Sequence, residues 1–483
     1  MTAAGAEIGA VLAAIATGLG ARAGEGLRAG ALVAMALVLT LALAGATAPA
    51  GRRARRVAGL TGLAGLAAVA MARALAGLGG PPARLAAAGA QGTVRVRLAT
   101  DPERRWSAVT VPARLERPAA GRVLVIAEGP AAGRLRLLEA GESAVLVGRF
   151  RVLGEAEGRW RWRHVAAVFE ARDLVGAGPA APVILRMANG LRHRILAGGE
   201  SLGPADRALV AGFLVGDDRD LPSGVAADFR AAGLSHLLVV SGANVTLALA
   251  LVAPVLRRFG LGGRLIGGLA ALGLFCAMTR FEPSVLRAAA MAGLALLATF
   301  LGRPVPGLRL LALAVTGLVL ADPFLVHSLG FGLSCGASAG ILLLAGPLAG
   351  RLAGPRLIRD PLAVTTAAQI GVAPIALPAF GHLPLAALPA NLAAAPAAAA
   401  LSLWGLGSGL IGGLAGQGGG GGPAAALQAP TAALAGWIRL VAHTAARSPL
   451  TVGTRPALAG ALSAAVWCVR PRCLRKGVTG ARP

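Results

Sequence analysis

Charge is scarce in this sequence. Asp, Glu, Lys and Arg make up 14% of the 483 residues, against 56% hydrophobic residues and a mean hydropathy of +0.70. Soluble domains carry about 25% charged residues, so a single water-soluble core is excluded. Cysteine is rarer still: Cys276, Cys335, Cys468 and Cys473 lie mostly within or beside apolar runs and offer no framework of structural disulfides. Six histidines, His164, His193, His236, His327, His382 and His443, are scattered, with no His-x-His-x-Asp-His cluster to hold zinc beside an open coordination position. The glycine run at 417–423 lacks the strand context and the Lys-Ser/Thr ending of a phosphate-binding loop, and reads as linker. With no nuclease ligand set, no cofactor motif and no nucleotide-hydrolysing motif, the chain is expected not to be an enzyme. Its first apolar stretch has Glu7 before it and no basic residue until Arg22, the wrong flank for a secretory signal, so it is expected to be retained.

Long apolar sequence is what the chain has in abundance. Windows near 8–21, 30–50 and 57–79, and again near 237–256, 265–280, 285–301, 310–323, 328–349, 361–380, 385–416, 424–446 and 449–469, have the character of membrane spans. Their continuous Ala/Leu/Val/Gly runs select helices, which satisfy their own backbone in lipid. The expected fold is mainly α, a polytopic helical membrane protein of about twelve transmembrane segments. Basic residues outnumber acidic ones 47 to 21, a net charge of +26. That excess fits nucleic acid, and it equally fits arginines gathered on the cytoplasmic side to fix orientation. Arg52, Arg53, Arg55 and Arg56, then Arg257, Arg258 and Arg264, then Arg303 and Arg309, then Arg351, Arg356 and Arg359, and finally the 470–483 tail all fall on one side when the spans alternate. Both termini are therefore expected on the cytoplasmic side, with the chain multi-pass and in contact with membrane lipids.

Residues 91–175 break this pattern. TVRVRLAT, SAVTVPARLE, GRVLVIAEG, SAVLVGRFRVL and RWRWRHVAAVFEARDL read as five short strands divided by Gly and Pro, an extracytoplasmic small β-barrel for which an OB-like fold is the natural candidate. In 182–232 an interfacial amphipathic helix is expected, with Ile184, Met187, Leu191 and Ile195 at helical spacing and Arg186, Arg192, His193 and Arg194 on other faces. The plan is thus N-terminal transmembrane helices at 1–80, the β-domain at 91–175, interfacial helices at 182–232, a transmembrane domain at 233–469 and a basic tail.

Four blocks carry a family resemblance. VGDDRDLPSGVAADFRAAGLSHLLVVSGANVTLALALV (215–252), PSVLRAAAMAGLALLATFLGRPV (283–305), ADPFLVHSLGFGLSCGASAGILLL (321–344) and AQIGVAPIALPAFGHLPLAALPANLAAAPAAA (368–399) resemble, in order, the landmarks of ComEC-type competence proteins. The resemblance implies a channel that takes single-stranded DNA inward across the cytoplasmic membrane. It also implies an external DNA receptor, a separate nuclease, and cytoplasmic proteins that translocate or capture the strand. Two departures stand out: Asn244 occupies a position where relatives commonly have His, and the metallo-β-lactamase-like domain that many relatives carry at the C-terminus is not in this sequence. Other cargo for the same spans, such as another anionic polymer or a lipid-linked substrate, stays open, as does a membrane scaffold.

The polar residues inside spans are the candidate path. His236, Ser241 and Asn244 fall within an arc of about 140° if one helix covers 237–256. Arg287 near the outer end of its span either pairs with Glu282 or steers phosphates, and Asp322 with His327 marks another outer turn. Gln369 beside Thr365, and Asn391 between Pro389 and Pro396, mark later spans. Interhelical hydrogen-bond glue is the plainer reading of each. In RWRWRHV, strand alternation sends Arg159, Arg161 and Arg163 to one face and Trp160 and Trp162 to the other. That pattern suits arginine on phosphate and tryptophan on bases. It suits equally well a Trp pair filling a small core.

Overall fold

The computed structural model describes residues 3–23, 52–105, 107–178, 181–384, 386–414, 422–448 and 451–453. The expected span at 30–50, nearly all of that at 449–469 and the basic tail lie outside the described residues. The chain divides into two compact units, one of residues 1–223, 236–331 and 398–436, the other of residues 224–235, 332–397 and 437–483.

In the first unit six strands follow the N-terminal helices: β1 (Gln91–Leu98), β2 (Glu103–Arg105), β3 (Ala108–Arg117), β4 (Gly121–Ala127), β5 (Ser143–Arg151) and β6 (Ala167–Ala177). They run in the order β1-β5-β6-β4-β3, and β3 pairs back onto β1, so five strands close into a barrel with β2 appended to β3. Every contact in the ring is antiparallel except β4 against β6. Closure follows from the alternation. Val94, Val96 and Leu98, then Val111, Ala113 and Leu115, then Val123 and Val125, all point inward and are buried. Full burial of each Val or Leu contributes about 1.5–3 kcal/mol. Phe150 and Phe169 meet edge to face at the centre, 5.0 Å between rings. The short helix Gly129–Leu135 closes the core with Ala131, Ala132 and Leu135.

The fifth expected strand begins later than its sequence reads. Glu155–Arg163 forms a 3-10 helix, and β6 starts only at Ala167. The cause is local: Glu157 accepts a hydrogen bond from Gly154 N at 2.7 Å and holds Arg151 at 2.9 Å, fixing a helical first turn. Acidic residues begin the segment, arginines end it, and His164 at φ 62° stops it. The alternation of Arg and Trp on opposite strand faces therefore does not exist.

Helices fill the rest. Among the described residues, six stretches are long and apolar enough to cross a membrane: Thr61–Ala87, Leu261–Met278, Pro283–Phe300, Leu329–Ala349, Arg356–Phe380 and Ala387–Leu414. Gly242–Leu256 and Gly307–Ala321 are apolar but shorter. The chain is a multi-pass membrane protein by these helices. In the second unit, Gly336 and Gly340 lie against Gly371 so closely that a Cβ at Gly340 would stand 2.2 Å from the Ala367 carbonyl, the small-residue packing that brings membrane helices together. Strand residues His382–Pro384 pair there with Thr451–Gly453, at a place where the sequence reads as apolar span.

Candidate functional site

The barrel rests on the helices of its own unit through a buried charge network. Asp101, in the loop after β1, is 8% exposed and lies between two arginines. Arg280 donates to both of its carboxylate oxygens, with the shortest contact 2.7 Å, and Arg192 Nη2 donates at 2.9 Å. Ala140 N adds a third kind of donor at 3.0 Å. Arg192 also reaches Asp217 at 3.1 Å and the carbonyls of Val215 and Met278 at 2.7 Å each. Asp217 in turn is held by Arg219. Burial pushes the Asp101 carboxyl up, but the charges of Arg192 and Arg280 and the hydrogen bonds outweigh it and hold it below the usual carboxylate range. Asp217 is depressed in the same way: burial opposes, and the Arg219 hydrogen bond and charge prevail.

Each element delivers its member for a local reason. Val183–Ala197 presents Arg192 inward, where it is 2% exposed, while Ile184 and Met187 are exposed. This reverses the simple amphipathic expectation for that helix, because Asp101 and Asp217 supply the compensation a buried guanidinium requires. Pro204–Val215 ends at Gly216 in the left-handed region (φ 73°), which turns the chain so that Asp217 faces Arg192. Arg280 and Phe281 sit at φ 55° and 56° between Leu261–Met278 and Pro283–Phe300. Two adjacent non-glycine residues in that region cost about 1–3 kcal/mol each, and the Asp101 contacts hold the turn in place.

A second contact lies beside it. Trp162 stacks on His327 with 3.7 Å between rings and meets Phe324 edge to face, while His164 Nε2 lies 3.0 Å from Asp322. Asp322 also caps the 3-10 turn Pro323–His327 by accepting from Phe324 N. Asp322 thus pairs with His164, and Trp162 and His164 both come from the barrel's 155–164 segment. Trp160 is buried against Leu124, Val165 and Val168, with the guanidiniums of Arg105, Arg159 and Arg163 5.8, 5.7 and 5.3 Å from its ring. Arg161 is exposed. Trp160 is buried, and Trp162 is half-buried with one face stacked on His327.

Below these turns the structure brings together Ser241, Asn244 and Arg287. Ser241 is the residue before Gly242–Leu256, so the helix begins there, and His236 belongs to the separate turn Ser235–Leu238. The expected common arc of His236, Ser241 and Asn244 is broken by that interruption, and His236 is exposed. Asn244 is buried and donates from Nδ2 to the Phe213 carbonyl at 2.9 Å, with Ser241 Oγ 3.5 Å from its Oδ1. Ser284 Oγ donates to the Val240 carbonyl at 3.0 Å. Arg287 is 8% exposed and reaches Met291 Sδ. Gly242 lies close beside it: a Cβ there would stand 2.6 Å from Arg287 Nη2 and would push the guanidinium aside. Glu282 sits at the N-cap of the Arg287 helix. Burial pushes its carboxyl up; Arg163 opposes, and Asp218 and Glu103 add to the rise. In the second unit Asn391 Nδ2 donates to Thr365 Oγ1 at 3.2 Å, and Gln369 is half-buried one turn along the same helix as Thr365.

Asp101, Arg192 and Arg280 were not singled out by sequence reasoning. The available signal was an Arg-Phe-Glu-Pro turn at 280–283 between two apolar runs, where a charge invites a partner.

The profile of the family described as Competence protein matches residues 213–475, more than half of the chain and the part that holds Asn244, Arg280, Arg287, Thr365 and Asn391. The chain belongs to the competence protein family. Among curated proteins it is similar to ComE operon protein 3 of Bacillus subtilis (strain 168), 28% identical over 213 residues. That match covers 43% of this chain and 26% of the relative, so the chain aligns with about a quarter of that relative's length. No solved structure matches. The four sequence blocks that resemble ComEC-type competence proteins begin within, and end within, the region the family profile covers.

Proposed function

We propose that this chain forms the path by which single-stranded DNA crosses a bacterial cytoplasmic membrane during competence. The observation that carries the reading is the competence match over 213–475, laid on apolar helices whose outer turns hold the barrel. Leaving β2 aside, the ring runs first-second-third-fifth-fourth and back to the first, with the third and fifth strands parallel. This connectivity supports an OB-like reading, a barrel type that commonly carries oligonucleotides.

Charge placement supports an external barrel. Arg257 and Arg258 end Gly242–Leu256, and Arg303 lies between Pro283–Phe300 and Gly307–Ala321. These turns alternate with those at 279–282 and 322–327, which are the two that contact the barrel. Arg22, at the end of Ala3–Ala23, donates to the Val326 carbonyl at the same end. By the preference of arginine for cytoplasmic loops, that end and the barrel face outward, with the N-terminus inside. Ser241, Asn244 and Arg287 then lie just beneath the outer turns, where a strand leaving the barrel would enter. In this reading a receptor outside, a nuclease, and strand capture or traction inside fall to partner proteins.

The test is uptake of labelled DNA by a naturally transformable host lacking this gene. Complementation by the intact chain restores the internalised single strand; unchanged uptake in the deletion strain, with its partners intact, contradicts the proposal.

A further inference from the structure

We infer that the outer face of β1, β3 and β4 is a phosphate strip that holds the backbone of single-stranded nucleic acid. The inference rests on the DNA-uptake reading and adds to it the residues and the chemistry of first contact.

Register carries the argument. Arg97 on β1 lies directly opposite Arg114 on β3, and Arg114 lies directly opposite Arg122 on β4. Arg95 lies opposite Arg117. Val94, Val96, Leu98, Ala113, Leu115 and Val123 are the inward neighbours, so Arg95, Arg97, Arg114 and Arg122 point outward. Arg114, Arg117 and Arg122 are exposed. Paired Cα positions in an antiparallel ladder stand about 4.5–5.5 Å apart, so Arg97, Arg114 and Arg122 occupy one row of register positions across three strands. Like charges directly opposite destabilise a sheet. Elsewhere on the same barrel the fold avoids this: Arg149 is opposite Glu170, and Glu170 also takes Arg151. On the strip Glu116, at the bulge between β1 and β3, pairs with Arg97 at 2.7 Å. Arg95 Nε is buried with no hydrogen-bond partner.

A closely spaced row of cations fits a ligand with closely spaced anions, and guanidinium forks suit phosphate. β1, β3 and β4 contain no aromatic residue, Trp160 is buried in the barrel, and Trp162 is stacked on His327. The strip therefore grips phosphates and ignores bases. It also runs toward the 155–163 segment, because Arg122 Nη1 donates to the Arg163 carbonyl at 3.3 Å. Arg159, Arg161 and Arg163 extend the basic surface toward the turns at 279–282 and 322–327, which leads a bound strand to the helices.

The experiment uses the full chain in phosphatidylcholine nanodiscs and a fluorescent oligothymidylate, with anisotropy read across a salt series. Arg114→Gln with Arg122→Gln is compared with Arg134→Gln with Arg136→Gln, which removes the same charge from another part of the barrel. The strip pair weakens binding about tenfold or more at low salt and lowers the log K against log salt slope by about 1.4, two phosphate contacts at about 0.7 each for single strands. The other pair stays within about twofold, and oligodeoxyadenylate binds like oligothymidylate. Equal losses from both pairs, or a marked base preference, overturn the strip. So does a loss of binding to phosphatidylglycerol vesicles with oligonucleotide affinity intact, which would make the partner a membrane surface. The two readings fail separately. Strip-dependent binding together with normal uptake in the deletion strain leaves the strip standing and removes the channel; a cell that needs the chain but binds DNA without the strip does the reverse.

Discussion

Arg192, Arg280 and Ala140 N all converge on Asp101. Removing one partner of a buried ion pair costs about 3–5 kcal/mol because the remaining charge is left uncompensated. Asp101→Asn should therefore lower the thermal stability of the purified chain by that amount at pH 7. The pH dependence has a fixed sign. Asp101 is depressed in the folded chain, so its contribution is fully present above the ordinary carboxylate value of about 3.9 and fades as pH falls through the lower folded value. The gap between wild type and Asp101→Asn is constant at neutral pH and closes only in acid; a gap that widened on acidification would contradict the network. None of this was legible in the sequence. Arg192 reads as one of several basic residues on an amphipathic helix, and its burial depends on Asp101, 91 residues away. Asn244 was legible as a polar mark in a span, but its hydrogen bond to Phe213 places it with interhelical glue as much as with a path.

At the scale of elements, periodicity performed well where one face is buried and poorly where local capping competes. The inward residues of β1, β3, β4 and β5 follow from alternation alone, because a one-residue slip would expose the entire core set. The 155–164 segment defeated alternation: Arg-Trp-Arg-Trp-Arg has strand period, but Glu157 bonded to Gly154 N and Arg151 turns it into a 3-10 helix. That turn brings Trp162 onto His327 and His164 onto Asp322. Aromatic stacking of this kind adds about 0.5–1.5 kcal/mol beyond buried area. Trp162→Ala should accordingly loosen the barrel on its turns and speed proteolysis within 91–178 while leaving the helices protected. Unchanged cleavage would show that the stack does not hold the barrel. The helix starts at 283 and 307 lie close to the expected spans at 285 and 310, whereas the expected span at 237–256 runs through a break at 239–241, since the Val-Val-Ser-Gly sequence interrupts the helix inside an apolar run.

For the whole molecule, hydropathy and arginine placement made the membrane class readable from the start, and the ordered blocks made the family readable. The closed ring of five strands was readable in outline, although the β3-to-β1 closure and the parallel β4–β6 pairing are long-range facts that no local pattern encodes. The central claim, a membrane path for single-stranded DNA, is tested most directly with the intact chain reconstituted in sealed vesicles that contain a quenched complementary probe. Oligothymidylate added outside should reach an internal oligodeoxyadenylate probe and raise its fluorescence, while duplex DNA of the same length should not. Equal signals from chain-containing and protein-free vesicles would contradict the account.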